Sequence, residues 1–176
     1  MIKIFSFRPE YFNNNGDQGN LEALAHFSNE AIEEVGLEDS QFALIGDGSR
    51  AAIREFGAEL EAMIPALQKR LDAGAPTLIV GSAYEFFAPK LSGLPKLQYG
   101  LRTSEFREAS HSSIKVKGYR NTEVIDSDLF VSGYFVATTL YGPVLAKNIE
   151  LLEHMAKGLS LQVEVSERER NWIEKL

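Results

Sequence analysis

The stretch "TLIVGSAYEFF", residues 77–87, constrains the fold more than any other part of the sequence. Its apolar residues form an uninterrupted run instead of alternating with polar ones, as in a parallel strand that is covered on both faces. Gly81, Ser82 and Ala83 follow at once, and such small residues permit a sharp turn into a helix. The segment therefore predicts a central strand, a tight turn and a helix. It also raises the question whether Ser82 is a nucleophile presented at the bend.

Strands and helices alternate along the rest of the chain. The other predicted strands are residues 2–7, 41–45 and 129–140. The predicted helices are residues 19–35, 51–71 and 143–157, the last with Gly158 as its C-cap. Residues 88–128, with their glycines, prolines and polar residues, predict an antiparallel or irregular extension. The charged tail 166–176 predicts a last helix that docks through Trp172 and Ile173. This alternation predicts one α/β domain over residues 1–176, with a mostly parallel sheet.

Composition excludes several kinds of function. The chain has 25 acidic and 18 basic residues, a net charge of -7, and its basic residues are scattered, so nucleic acid is not an expected partner. It has no cysteine, which excludes disulfides, thiolate metal sites and a cysteine nucleophile. The sequence contains no His-x-x-x-His pair and no EF-hand loop, so we expect no metal and no cofactor.

Two features bear on membranes and on location. The N-terminal residues alternate between apolar and polar, without a charged segment followed by a long apolar one, so we expect a cytoplasmic protein. Residues 129–146 are uncharged over a length that would suit a membrane span. Gly133 and the pair Gly142-Pro143 interrupt this stretch, and such residues favour a buried strand followed by a turn. We therefore expect no contact with a membrane.

Polar or glycine-bearing turns follow the predicted strands. They lie at residues 13–20, 46–49, 81–83 and 140–143. Ligands of parallel sheets bind at the carboxyl ends of the strands, so these turns predict a site. "NNNGDQGN" at 13–20 is typical either of backbone amides that bind an anion at a helix N-terminus or of a polar turn with Asp17 or Asn20 as a cap. "GDGSR" at 46–50 could likewise donate to an oxyanion or end in Ser49 as a cap.

A nucleophilic Ser82 would need a base, usually a histidine that a third group holds in place. The chain has three histidines, His26, His111 and His154. His26 and His154 lie on predicted helices, and His154 suits the dipole near a helix C-terminus. His111 is the histidine of the predicted extension. The pair Ser82 and His111 is therefore the candidate for serine chemistry.

Four stretches of the chain match the motifs of one enzyme family. They are "NNNGDQGN" at 13–20, "IGDGSRAA" at 45–52, "LIVGSAYEFFA" at 78–88 and "ATTLYGPVLAKNIELLEHM" at 137–155. In order, they resemble the "YGDxGN" loop, the oxyanion-hole turn "GGGxD", the elbow "LAICGGYQLLG" and the segment "GTYLHGPLLPKNPELADYL" of class I glutamine amidotransferase domains of the CobB/CobQ type, such as the amidotransferase subunit of lipid II isoglutaminyl synthase. The last match is the most specific. The resemblance spans most of the chain and implies a three-layer, flavodoxin-like sandwich.

The departures from this family fall on its chemistry. Family members hydrolyse glutamine by attack of a cysteine, with a histidine as base, and pass ammonia to a synthetase. Gly81 stands at the cysteine position and Tyr141 at the histidine position. A tyrosine, with a reference pKa of about 10, is a poor base near neutral pH. The glutaminase mechanism of the family is therefore excluded by residue type. The short connection after the predicted helix 19–35 further predicts the loss of one edge strand.

The resemblance and its departures together predict a catalytically inactive relative that binds a protein, in a regulatory, decoy or structural role. The expected partner is a Mur-ligase-like synthetase or a second copy of the chain. The expected pocket is lined by Asp17, Gly46, Gly48, Ser82, Glu85 and Tyr141. Two alternatives remain open. One is an amidotransferase or hydrolase whose nucleophile moved to Ser82, assisted by Tyr141 or His111, and the other is a sensor for glutamine or a similar amino acid.

Overall fold

A mostly parallel sheet forms the centre of the molecule. The computed structural model describes residues 1–175, so Leu176, at the end of the predicted last helix, lies outside the described residues. The strands are β1 (Ile2–Ser6), β2 (Ile32–Glu34), β3 (Phe42–Ile45), β4 (Thr77–Val80), β5 (Tyr99–His111), β6 (Ile114–Val124), β7 (Leu129–Ser132) and β8 (Phe135–Thr138). Six of them form the sheet in the order β2-β1-β3-β4-β8-β7. All neighbours in it run parallel except β7, which is antiparallel to β8. The predicted α/β class with a mostly parallel sheet is confirmed.

Helices cover both faces of this sheet. They are α1 (Gly19–Ser28), α2 (Arg50–Glu55), α3 (Gly57–Ala62), α4 (Ile64–Ala73), α5 (Ser82–Phe87), α6 (Val144–Lys147), α7 (Ile149–Gly158) and α8 (Glu167–Ile173). Because successive side chains of a strand point to opposite faces, Phe42 and Leu44 of β3 pack with α1 and α7, whereas Ile45 packs with α4 and α5. Within residues 1–175, no helix combines the length and the apolar character needed to cross a membrane.

The helix predicted over residues 19–35 is wrong at its C-terminal end. It ends at Ser28, because Asn29 takes a left-handed conformation with a φ of 54°. Residues 32–34 then form β2, the edge strand that pairs in parallel with β1. The predicted loss of an edge strand assumed a helix up to residue 35, whereas residues 32–34 of this segment supply an edge strand.

Three further predicted elements are continuous in the sequence pattern but divided in the structure. The predicted helix 51–71 consists of α2, α3 and α4, with breaks at Phe56 and Met63. The predicted helix 143–157 is divided at Asn148, which has an extended backbone, and its last C-cap is Leu159 instead of Gly158. The predicted strand 129–140 is the hairpin β7–β8, which turns at Gly133 with a φ of +59°.

A long hairpin, β5–β6, accounts for most of the extension that the sequence predicted between residues 88 and 128. One face of β6 is buried against the core, and its largest buried side chain is Arg120. Arg120 donates from Nη1 to Asp128 Oδ2 at 2.9 Å, and Asp128 also accepts a bond from Arg107 at 3.0 Å. At the other edge of β6, the amide of Tyr141 donates to the carbonyl of Tyr119 at 2.7 Å. These contacts attach the hairpin to the carboxyl end of β8.

The last helix, α8, begins with a capping box in which Ser166 and Glu169 bond each other's backbone amides. Ile173 is buried, as predicted. Trp172 is 64% exposed, so the prediction that it docks the helix is wrong. Adjacent positions of a helix point in different directions, and one docking face cannot bury both.

Candidate functional site

The turns that follow β1, β3, β4 and β8 meet at one edge of the sheet, as the parallel arrangement requires. Asp47 lies at their centre. Its Oδ2 accepts hydrogen bonds from the side-chain amides of Asn15 at 3.0 Å and Asn14 at 3.4 Å, and its Oδ1 accepts one from the backbone N–H of Ser82 at 2.8 Å. The backbone N–H of Asp47 donates to Asp17 Oδ2 at 3.2 Å. Asp47 thus joins three of the four turns through its own groups.

Asp17 is a fully buried carboxyl within this cluster. Its Oδ1 has no hydrogen-bond partner among residues 1–175. Burial is the main cause that raises the pKa of Asp17 to about 7; the nearby Asp47 carboxylate acts in the same direction, and the hydrogen bond from the amide of Asp47 acts in the opposite one. Near neutral pH, both the protonated and the ionised form of Asp17 are therefore populated.

Gly81 occupies the sharp turn between β4 and α5, with φ of 60° and ψ of -122°. Glycine adopts such a positive φ without steric penalty. A Cβ at this position would come within 2.8 Å of both the Asp47 carboxyl carbon and Tyr141 Cε1. The space in which a nucleophile at residue 81 would stand is therefore filled by these two side chains.

The hydroxyl of Ser82 is fully engaged by the neighbouring turn. Its Oγ donates to the carbonyl of Gly48 at 2.7 Å and accepts from the amide of Gly48 at 2.9 Å. The predicted partner His111 lies at the far end of β5, where its ring packs edge-on against Phe130 of β7. No hydrogen bond joins Ser82 to a histidine in the described part of the chain. The structure does not bring the candidate pair together.

Tyr141 lies over the elbow and is tied to the hairpin. Its hydroxyl donates to the carbonyl of Asn121 at 2.8 Å. Burial raises the pKa of Tyr141, and the nearby carboxylates of Asp47 and Glu85 add to this effect. Glu85 in turn accepts a hydrogen bond from Thr122 of β6 at 2.7 Å. Tyr141 therefore stays a neutral hydrogen-bond donor near neutral pH and does not serve as a base.

Two glycines of the turn after β3 allow this close packing. A Cβ on Gly46 would come within 2.9 Å of the Asp17 Cβ, and one on Gly48 within 2.7 Å of the Phe12 ring. The absence of a side chain at Gly46 and Gly48 therefore lets Asp17 and Phe12 pack directly against the backbone of this turn. Four of the six predicted pocket residues, Asp17, Gly46, Gly48 and Ser82, contact one another or Asp47. The other two, Glu85 and Tyr141, bond to β6.

Three polar side chains that bond to these turns or to the neighbouring segments were not predicted as site residues, although Asn20 was named as a possible helix cap. Asp47 is one, and the signal for it was an acidic residue between two glycines after a buried strand. Asn20 is fully buried and joins the loop before α1 to α6, donating to the Asp17 carbonyl at 2.8 Å and accepting from the Leu145 amide at 2.9 Å. Asn148 bonds both backbone groups of Lys117 in β6, at 2.7 and 3.0 Å.

A scan of known protein families finds none that matches the chain, and no curated protein is similar to it at a significant level. The resemblance to glutamine amidotransferases therefore stays a prediction.

Away from this cluster, a cavity of about 530 Å³ lies between the hairpin, the start of α7 and α8. Lys117, Asn148 and Ile173 are among its lining residues, and the six predicted pocket residues are not. In the described residues, no three His, Asp or Glu side chains converge in a way that would hold a metal ion. Within residues 1–175, the carboxyl edge of the sheet thus holds a cluster of side chains that hydrogen-bond one another, and no hydrogen bond pairs a nucleophile with a base there.

Proposed function

We propose that the chain is a non-catalytic domain of the glutamine amidotransferase-like class that acts by binding a protein. The order of the parallel strands supports the fold part of this proposal. Numbered along the chain, β2-β1-β3-β4-β8 is the order 2-1-3-4-5, which is that of flavodoxin-like domains. The sharp turn between β4 and α5 at Gly81 is also the place where elbow enzymes of the α/β type carry their nucleophile.

The observation that carries the non-catalytic part is the position of the Asp47 carboxylate. In elbow enzymes, the backbone N–H after the nucleophile stabilises the oxyanion of the reaction. The corresponding N–H here is that of Ser82, and it donates to Asp47 Oδ1 at 2.8 Å. A carboxylate of the chain thus occupies the place of the oxyanion, and it would repel a second negative charge there.

The experiment that tests this part measures chemistry at the elbow. Purified protein is assayed for ammonia release from glutamine and for labelling by a serine-directed fluorophosphonate, with Ser82→Ala as the matched control. We expect both proteins to release ammonia at the background rate and to remain unlabelled, because Gly48 holds both hydrogen-bonding roles of the Ser82 hydroxyl. Ammonia release or labelling that Ser82→Ala abolishes would contradict the proposal.

The protein-binding part is supported by the distribution of exposed apolar side chains. Of the nine large apolar residues that are exposed among residues 1–175, five lie in or next to the hairpin: Tyr99, Leu101, Phe106, Tyr119 and Ile125. A concentration of this kind on one element is typical of an interaction surface. We propose a synthetase of the Mur-ligase-like class or a second copy of the chain as the partner.

The partner is tested by affinity isolation of tagged protein from its native host, followed by binding measurements with each purified candidate. Phe106→Lys should weaken the interaction, whereas Trp172→Lys, at an exposed apolar position outside the hairpin, should leave it unchanged. If no purified candidate binds, and a panel of free amino acids raises the melting temperature instead, the amino-acid sensor replaces this proposal. A ligand at a hundred times its dissociation constant adds about 2.7 kcal/mol of stability.

A further inference from the structure

In the part of the chain that the structure describes, β5 pairs with β6 along one edge and with no strand along the other. The hairpin closes over Ser112 and Ser113, with His111 opposite Ile114. A two-residue hairpin closes on a hydrogen-bonded pair, and such pairs then alternate along the strands. The backbone groups of odd-numbered residues, such as Glu105 and Arg107, therefore bond to β6.

The contacts on the far side of β6 agree with this alternation. The backbone groups of the odd-numbered residues of β6 point away from β5, since the Tyr119 carbonyl accepts a hydrogen bond from the Tyr141 amide and the Lys117 amide donates one to the Asn148 side chain. It follows that the backbone groups of Ser104, Phe106 and Glu108 point outward from β5.

These outward groups have no hydrogen-bond partner among residues 1–175 outside the β5–β6 ladder. The side chains along the edge are exposed or half-exposed throughout, and Phe106 is 74% exposed. A long, open strand edge of this kind is a template for pairing with another strand.

The sequence of β5 suits pairing with itself. Around a twofold axis at Phe106, the two phenylalanines face each other, and Glu105 of each chain lies opposite Arg107 of the other. A register centred on Glu105 or on Arg107 would instead place like charges opposite each other, which is destabilising. Ser104 and Glu108 would then exchange backbone bonds across the axis, so that the three outward residues contribute about six bonds between the chains.

We propose that the free edge of β5 binds the β5 edge of a second copy, antiparallel and centred on Phe106, to form a dimer with a continuous four-stranded ribbon. This pairing does not depend on the chemistry of the elbow or on another partner. A strictly monomeric protein would overturn it and leave the proposed binding of a synthetase standing.

Two measurements on the full chain test the dimer. Sedimentation velocity from low micromolar to near-millimolar concentration should show a reversible monomer–dimer equilibrium. Over the same range, hydrogen exchange should slow at the amides of Ser104, Phe106 and Glu108 as the dimer forms, while those of Glu105 and Arg107 should be protected at every concentration. A monomer throughout, or a dimer whose three outward amides still exchange freely, overturns the proposal.

Variants then locate the interface. Phe106→Lys should raise the dimer dissociation constant at least about tenfold, which corresponds to about 1.4 kcal/mol. Ser104→Pro removes an outward N–H without removing a bond of the β5–β6 ladder, and Ser104→Ala is its matched control. Ser104→Pro should prevent dimerisation, whereas Ser104→Ala and Trp172→Lys should not. Because Phe106 is exposed, its variant should keep the wild-type melting temperature of the monomer. Dimerisation of Phe106→Lys with the wild-type constant would contradict the assigned edge.

Discussion

At the scale of single residues, the site is governed by two carboxyl groups, Asp17 and Asp47, whose roles differ. Asp47 accepts three hydrogen bonds, from Asn14, Asn15 and Ser82. Asp17 is fully buried and accepts one, from the amide of Asp47, while its second oxygen has no partner among the described residues. A buried ion is destabilising unless hydrogen bonds or opposite charges compensate it. The ionised form of Asp17 is therefore destabilised, whereas Asp47 links the turns through its hydrogen bonds.

The stability of the protein should therefore depend on the protonation of Asp17. The pKa of Asp17 is about 7 in the folded protein, above the unfolded value of about 3.9. The folded state holds this proton more tightly, so the contribution of Asp17 to stability is greatest below pH 4, falls as the pH rises to 7 and is constant above it. As the pH rises from 4 to 7, the free energy of unfolding of Asp17→Asn should increase relative to that of the wild type by up to roughly 4 kcal/mol.

Urea unfolding of both proteins at intervals between pH 4 and 8 measures this difference. Asp39→Asn, at an exposed position, controls for the loss of one negative charge. A wild-type curve that stays parallel to that of Asp17→Asn across the whole range would show that Asp17 does not titrate there.

A second residue-scale prediction concerns the elbow. Gly81→Ala should lower the free energy of unfolding by at least about 2 kcal/mol, because an alanine is strained at this φ and its Cβ would meet Asp47 and Tyr141. Gly57→Ala is the matched control, since a Cβ at Gly57 meets nothing within 4 Å. That control should be neutral or stabilise by up to about 1 kcal/mol. Equal stability of the two variants, measured by urea unfolding, would show that the elbow accommodates a side chain.

Much of this site could be predicted from the sequence, because turns after parallel strands must meet at one edge. Asp17, Gly48, Ser82 and Tyr141 lie in the turns that this rule predicts to meet, and the resemblance named them as pocket residues. The use of Asp47 as an internal acceptor could not be predicted, since it depends on the distance between two turns. Whether Ser82 and His111 meet also depends on distances between segments, so the sequence could not decide it; in the structure the two residues contact other partners.

At the scale of elements, the hairpin β5–β6 is held to the sheet by a buried ion pair. Arg120 is almost fully buried and contacts Asp128 and the Val124 carbonyl. Asp128 also accepts a hydrogen bond from Thr139, which follows β8. Removing one member of a buried pair leaves the other charge uncompensated, which is more destabilising than replacing both.

We therefore expect Asp128→Asn to lower the free energy of unfolding by about 3–5 kcal/mol. The double variant Arg120→Met with Asp128→Asn should lose less than that, because no unpaired charge remains buried. Glu123→Gln, which breaks the exposed contact with Arg102 on the same hairpin, should cost less than about 1 kcal/mol. Urea unfolding measures all three, and a double variant as unstable as Asp128→Asn would contradict the ion-pair argument.

The strands were easier to predict than the helices. The apolar runs at 42–45 and 77–80 are typical of central strands, and both are found there. The stretch "EAIEEV", residues 30–35, has helix-forming residues, yet the ladder with β1 forms a strand of it. The left-handed Asn29 that ends α1 has no signature in hydrophobic periodicity. Asparagine is one of the residues that favour this conformation, so this helix end is a local signal that hydrophobic periodicity does not include.

At the scale of the whole molecule, the burial of side chains decreases from the central sheet to the C-terminal helix. β3 and β4 are buried at every residue. α8 has a single buried residue, Ile173, and an exposed Trp172. Local opening requires less free energy where fewer apolar contacts must be broken. The central strands should therefore open only when the whole protein unfolds, and α8 should open on its own.

Native-state hydrogen exchange at increasing denaturant should separate the two events, with the amides of α8 exchanging at a lower free energy than those of Leu44 and Ile79. Ser166→Ala removes the cap of α8 and should lower the opening free energy of this helix by about 1 kcal/mol, without changing exchange in β3 and β4. Ser49→Ala, which removes the cap of α2, is the matched control and should leave α8 unchanged. An equal loss of protection in α8 and in the central strands of Ser166→Ala would show that α8 unfolds only together with the sheet.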